Sequence, residues 1–100
     1  MRGVTKYNKI PPMNLEKKAK TLKALGQPTR LRIMEYLRDG ERCVCEIFPA
    51  IGGQQSNVSR HLAVLKQAGL VSDRREGVSI YYRVLDPALY QLLDSLERKK

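Results

Sequence analysis

The stretch QQSNVSRHLAVLKQAGLVSDRREGVSIYYRVL, residues 54–85, changes its periodicity halfway along. In its first half, Val58, Leu62 and Leu65 recur at the spacing that places residues on one face of an α-helix. In its second half, apolar and polar residues alternate, which is typical of a β-strand, and REG at 75–77 is suited to a turn. The stretch therefore predicts a helix followed directly by a β-hairpin.

Other helices are predicted on both sides of this stretch. Asn14 is suited to cap the first helix, Pro28 lies in the first turn of the second, and 44–51 forms a short third helix. The last helix is predicted to begin after Asp86, with Pro87 at its first position. Two of these helices, the first and the last, have an apolar face, made of Leu15, Ala19, Leu22 and Leu25 in one and Leu89, Leu92, Leu93 and Leu96 in the other.

The order of the predicted elements indicates a fold. A short helix, a tight Gly52-Gly53 link and a longer helix with Ser56 as its N-cap form a helix-turn-helix. A β-hairpin that follows such a unit is the wing of a winged-helix domain. We therefore predict a mainly α winged helix-turn-helix of about five helices and two strands over residues 14–98, preceded by a flexible basic arm over 1–13.

The composition limits the kind of protein and its partners. The chain has 100 residues, which is the size of one domain, and its formal net charge of +9 favours a polyanion such as nucleic acid. A solvated basic surface without a partner would have the same composition. No apolar run is long enough for a membrane span, and the N-terminus does not resemble a signal peptide, so we expect a cytoplasmic protein whose thiols are reduced. One histidine and no glycine-rich phosphate loop argue against an enzyme.

The polar face of the helix after Gly52-Gly53 carries side chains that could read DNA bases. Short amides and hydroxyls together with a guanidinium match base edges in the major groove, and arginines at a hairpin tip suit the minor groove. An ordinary solvated face and a charged hairpin tip are the alternatives, and His61 could instead be a packing residue. The candidate DNA contacts are Gln55, Ser56, Asn57, Ser59, Arg60 and His61 in the helix, and Arg74 and Arg75 in the wing.

Three segments of the chain resemble one protein family. LGQPTRLRIMEYL, ERCVCEIFPAI and SNVSRHLAVLKQAGLVSDRREGVSIYYRV are similar to segments of the ArsR/SmtB family of winged-helix, metal-responsive transcriptional repressors. The resemblance runs from about Leu15 to Leu96. It implies a homodimer built from the first and last helices, which binds double-stranded operator DNA without ligand and releases it when an inorganic effector binds.

Cys43 and Cys45 are the only cysteines of the chain. Side chains two positions apart in a helix point about 200° apart, so both sulfurs can reach one ion only if Cys43 lies just outside the helix. A helix N-terminus and the neighbouring Arg42 would both lower the pKa of the thiols, and sulfur ligands select soft ions. The pair therefore predicts a soft-ion site, with no obligatory cofactor.

The ligand set at this site is incomplete by comparison with the family. The arsenic-type motif of the family usually continues to a third cysteine, where this chain has Phe48, and the N-terminal arm has no cysteine. Two thiolates suit a linear soft ion, or As(III) or Sb(III) with a further small thiol or oxygen ligand. Zn(II) is disfavoured because it requires four ligands and His61 is the only imidazole, and the last helix has no histidine for the family's zinc site.

Other interpretations of the same residues stay open. The cysteines could form a thiol-redox sensor, although we expect an unstrained disulfide at this spacing to need unusual backbone geometry. They could also pack as two small hydrophobic residues. A winged helix used only as a protein-interaction module is a different class of function. The short polar residues of the predicted recognition helix argue against that class, because protein interfaces favour aromatic and aliphatic anchors.

Overall fold

The structure, a computed structural model, describes residues 12–97. These residues form α1 (Pro12–Leu25), α2 (Pro28–Tyr36), β1 (Arg42–Cys43), α3 (Val44–Ile51), α4 (Gln55–Gln67), β2 (Val71–Glu76), β3 (Ser79–Val84) and α5 (Leu89–Ser95). The strands form one antiparallel sheet in the order β1-β3-β2. The predicted winged helix-turn-helix is confirmed, with α3 and α4 as its two helices and β2 and β3 as its wing. The predicted basic arm lies almost entirely outside the described residues.

The hydrophobic core lies between α2, α3, α4 and the base of the wing. The α4 face predicted from the sequence is fully buried, since Val58, Leu62 and Leu65 have no exposed surface. Burying one such side chain contributes about 1.5–3 kcal/mol. The remaining fully buried side chains come from α2, α3 and β2, and they are Ile33, Met34, Leu37, Ile47 and Val71.

Two predicted helix starts are wrong. Helix α1 begins at Pro12, so Asn14 lies inside it and does not cap it; a proline preorganises the first helical position and has no N–H to satisfy. Helix α4 begins at Gln55 after an extended Gln54, so Ser56 lies in its first turn. The left-handed conformation of Gly52 (φ 81°) turns the chain immediately after α3, and α4 can therefore begin two residues earlier than predicted.

The wing differs from the prediction in its turn and in its number of strands. Glu76 pairs with Ser79, so the turn is Gly77-Val78 rather than residues 75–77, with Gly77 at a positive φ of 63°. Val78, predicted to lie in a strand, is 98% exposed in this turn. The third strand, β1, was not predicted, because two residues are too few to show an alternating pattern.

The last helix also begins later than predicted. Asp86 accepts a hydrogen bond from the backbone N–H of Ala88 through its side chain (3.0 Å), which forms a turn before α5 begins at Leu89. Pro87 therefore lies in this turn and not at the first helical position. No helix among residues 12–97 is long and apolar enough to cross a membrane.

Candidate nucleic-acid interface and thiol pair

The first two turns of α4 present most of the predicted DNA-reading side chains to solvent. Gln55, Ser56, Ser59 and Arg60 are exposed, and Asn57 is half-buried. Arg60 Nη2 donates a hydrogen bond to Asn57 Oδ1 (2.9 Å), which holds a guanidinium beside an amide. The structure thus brings five of the six candidates of this helix together at its solvent-facing start. The sixth, His61, has different surroundings.

His61 is half-buried and faces α2. Its Nδ1 accepts a hydrogen bond from Arg30 Nε (3.1 Å), and Arg30 Nη1 donates to the backbone oxygen of Ala24 (3.2 Å) at the end of α1. Burial lowers the pKa of His61, and the positive charges of Arg30 and Arg60 lower it further. Arg30 therefore links α1, α2 and α4. Arg30 was not among the predicted site residues, because no local pattern relates it to a residue in α4.

The two wing arginines have different surroundings. Arg74 donates to Glu41 through Nε (2.8 Å) and Nη2 (2.9 Å), and to Glu76 through Nη1 (2.7 Å). Its guanidinium lies 4.6 Å from the centroid of the Tyr81 ring. Arg75 is exposed, extends from the opposite face of β2, and forms no ion pair within residues 12–97. Of these two arginines, Arg75 is therefore the one that can contact a phosphate without competition from a carboxylate of the described residues.

Cys43 and Cys45 meet at the N-terminus of α3. Cys43 is the N-cap residue, with an extended backbone (ψ 143°), and Cys45 lies in the first turn, as the sequence suggested for a shared site. Their Cα atoms are 5.1 Å apart and their sulfurs form a disulfide. Cys43 is buried and Cys45 is exposed. The helix end is capped by Cys43 Sγ, which accepts from the N–H of Cys45 (3.1 Å), and by Glu46 Oε1, which accepts from the N–H of Cys43 (2.9 Å).

This pairing corrects two expectations. We expected reduced thiols, and an unusual backbone for an unstrained disulfide. The structure pairs the sulfurs instead, and the Cα separation of 5.1 Å lies within the usual range for disulfides. The physical reason is that Cys43 precedes the helix, so the helical rotation between positions two apart does not apply.

The surroundings of the sulfurs offer few further ligands. Within the described part of the chain, no group of three His, Cys, Asp or Glu side chains is arranged to hold a metal ion. Arg42, expected to lower the pKa of the thiols, lies over the ring of Tyr36 (4.7 Å to the centroid). Since neighbouring side chains of a strand point to opposite faces, Arg42 extends away from the side of β1 that carries Cys43.

Comparison with known proteins identifies the family. The family model described as bacterial regulatory protein, arsR family, matches residues 27–73. An uncharacterized HTH-type transcriptional regulator of Methanocaldococcus jannaschii, MJ1325, is 39% identical over 79 residues, which cover 78% of this chain and 89% of that protein. The chain belongs to the ArsR/SmtB family. The resemblance found in the sequence is thereby confirmed, and the class of transcriptional regulators, not enzymes, is the one that the sequence predicted.

Two further relatives of this ArsR/SmtB protein show the range of the similarity. The arsenic resistance transcriptional regulator ArsR1 of Pseudomonas putida is 44% identical over 75 residues, but these cover only 58% of that regulator. The winged helix-turn-helix DNA-binding domain of Mb0332 from Mycobacterium bovis, a possible ArsR-family regulator described as homodimeric, superimposes with a TM-score of 0.79 at 36% identity. That match covers 86% of this chain and 82% of the Mb0332 chain.

Proposed function

We propose that the protein is a homodimeric transcriptional repressor that binds operator DNA and releases it when As(III) or Sb(III) binds Cys43 and Cys45. DNA binding is supported by the net charge of +9 and by the exposed polar side chains at the start of α4. In this proposal α4 enters the major groove and the wing contacts the backbone or the minor groove. Gln55, Ser56, Asn57, Ser59 and Arg60 contact bases, while Arg75 contacts phosphate.

The homodimer is supported by uncovered leucines on α1 and α5. Leu22 and Leu92 line the same groove between these helices, and they are 56% and 42% exposed. Leu15 on α1 and Leu96 after α5 are also exposed. A second copy related by a two-fold axis would cover this apolar surface. It would place the two α4 helices about 34 Å apart, to match half-sites one turn of DNA apart.

The effector site is supported by one observation, the position of Cys43 outside α3. That position brings its sulfur to the same side as the sulfur of Cys45, so that two thiolates can bind one soft ion once the pair is reduced. The exposure of Cys45 provides access. The third ligand of As(III) would be a small thiol or an oxygen from solvent. The name of the Pseudomonas putida relative supports arsenic as the effector.

The test is fluorescence anisotropy of labelled DNA selected from a mixed-sequence pool, with arsenite added under reducing conditions. We expect arsenite to release the wild-type protein. Cys43→Ser and Cys45→Ser should bind the same DNA and stay bound at that arsenite concentration. Release of the double variant at the wild-type concentration would contradict the proposed site.

The disulfide favours a second candidate function, a thiol-redox sensor. Here the two thiols transfer two electrons and two protons to a hydroperoxide, forming the disulfide, water and an alcohol. Hydrogen peroxide without arsenite should then release the DNA, and dithiothreitol should restore binding. Mass spectrometry of the released protein should show the loss of two hydrogens. The metalloid function instead predicts release by arsenite without disulfide formation, and DNA binding restored when arsenite is removed.

A further inference from the structure

We infer that Glu41 couples the cysteine pair to the wing by competing with DNA phosphate for the guanidinium of Arg74. Glu41 is thus a positioning residue, which acts on DNA only through Arg74. The inference rests on the proposed function, because it requires that closure of the cysteine pair weakens DNA binding.

A row of directly paired residues crosses the sheet from the cysteine strand to the wing. Cys43 on β1 pairs with Tyr81 on β3, and Tyr81 pairs with Arg74 on β2. Directly paired residues lie on the same face of a sheet, so these three side chains are neighbours. The Arg74 guanidinium crosses the Tyr81 ring at 4.6 Å from its centroid, in the direction of β1. The cysteine pair and the wing are therefore connected through one strand.

An ion pair between Glu41 and Arg74 lies at the end of this row. Glu41 lies two residues before Cys43 and uses both carboxylate oxygens to bind Arg74, at 2.8 and 2.9 Å. Glu41 and Glu76 together occupy three of the five N–H donors of this guanidinium, so a phosphate must compete with the Glu41 carboxylate for it.

Joining the two cysteine sulfurs, through a bound ion or a disulfide, restrains the backbone around them. An ion or a bond between Cys43 and Cys45 holds the end of β1 against the start of α3, and with it the backbone of Glu41. That restraint favours the Glu41–Arg74 ion pair over the phosphate contact. By linkage, DNA that draws Arg74 away must weaken the binding of the ion to the same degree.

Glu76 provides a matched control. It also pairs with Arg74, through Nη1 at 2.7 Å, but it lies two residues away on β2 itself, which pairs with β3 and not with the cysteine strand β1. Glu41→Gln and Glu76→Gln therefore remove the same charge from the same guanidinium. Only the first variant breaks the connection between the cysteines and the wing.

The experiment measures DNA affinity by fluorescence anisotropy at several salt concentrations, with and without arsenite, under reducing conditions. Without arsenite, both variants should bind more tightly than wild type. The salt dependence should steepen by up to about 0.9 in log Kd per log salt, the value for one added phosphate contact. Arsenite should change the affinity of Glu41→Gln by a smaller factor than that of wild type, and the affinity of Glu76→Gln by the wild-type factor. In an Arg74→Gln background, Glu41→Gln should change neither the salt dependence of DNA binding nor the response to arsenite.

Failure of this inference and failure of the proposed function give different results. A wild type that does not respond to arsenite contradicts the proposed function. A responsive wild type with an equal response in Glu41→Gln overturns the coupling through Glu41. An unchanged salt dependence in Glu41→Gln overturns the competition for Arg74, whether or not arsenite acts. Circular dichroism of each variant shows whether it is folded.

Discussion

Arg30 Nε donates a hydrogen bond of 3.1 Å to Nδ1 of His61, and this bond joins α2 to the helix proposed to read DNA. Nδ1 can accept it only when it carries no proton. Burial and the charges of Arg30 and Arg60 lower the pKa of His61, so the accepting form is favoured. The orientation of α4 therefore depends on a neutral histidine.

As the pH is lowered, the hydrogen bond between Arg30 and His61 should weaken at a higher pH than the one at which carboxylates become protonated. The unfolded pKa of a histidine is about 6.5, and that of folded His61 is lower. Its contribution to the free energy of unfolding is complete above pH 6.5 or so and is lost as the pH falls through the folded pKa. Urea unfolding at pH 7.5 and at pH 5.5 should show a smaller loss of stability in His61→Gln than in wild type. Equal losses of stability in the two proteins would show that protonation of His61 does not contribute to the pH dependence of unfolding.

Charges on the exposed leucines of α1 and α5 should produce monomers. We expect Leu22→Glu combined with Leu92→Glu to sediment as a monomer at micromolar concentration, because two carboxylates would have to lose their hydration in the proposed interface. Val78→Glu is the matched control, since Val78 is 98% exposed in the wing turn and should leave the dimer intact. A monomeric wild type would contradict the proposed assembly.

The proposed DNA contacts divide into two kinds with different signatures. Arg60→Ala should cost about 1–3 kcal/mol on the specific sequence and relax the preference between sequences, because a base contact is lost. Arg75→Ala should weaken binding to all sequences similarly and flatten the salt dependence, because a phosphate contact is lost. Binding to a selected and a scrambled duplex at several salt concentrations separates the two. Unchanged affinity of Arg60→Ala would mean that α4 presents another face to DNA.

The link between α3 and α4 allows a comparison of two adjacent glycines. Gly52 has a φ of 81°, where a side chain costs about 1–2 kcal/mol, so Gly52→Ala should lower the free energy of unfolding by that amount. Gly53 has no positive φ, and a Cβ there would meet only Val58 Cγ2 at 3.4 Å. Gly53→Ala should therefore be nearly neutral in urea unfolding. A larger cost for Gly53→Ala would contradict the assigned backbone conformations.

Most of the fold could be predicted because its elements have clear periods. The buried face of α4, with Val58, Leu62 and Leu65, follows from helical spacing alone, and α3 has the predicted bounds of 44–51. The starts of α1, α4 and α5 were wrong by two or three residues. Several local conformations compete at a helix end, and a residue such as Ser56 is suited to the N-cap and to the first turn alike.

The sequence by itself determined the helix-turn-helix, the wing and the presence of two cysteines at the start of α3. These depend on residues close together in the chain. Only the tertiary structure decided which charged side chains meet. Arg30 and His61 are 31 residues apart, and Glu41 and Arg74 are 33 residues apart. Local periodicity contains no information about such distant pairs. Their partners are chosen by the packing of α2 against α4, and by the register that sets Cys43 and Arg74 on either side of Tyr81.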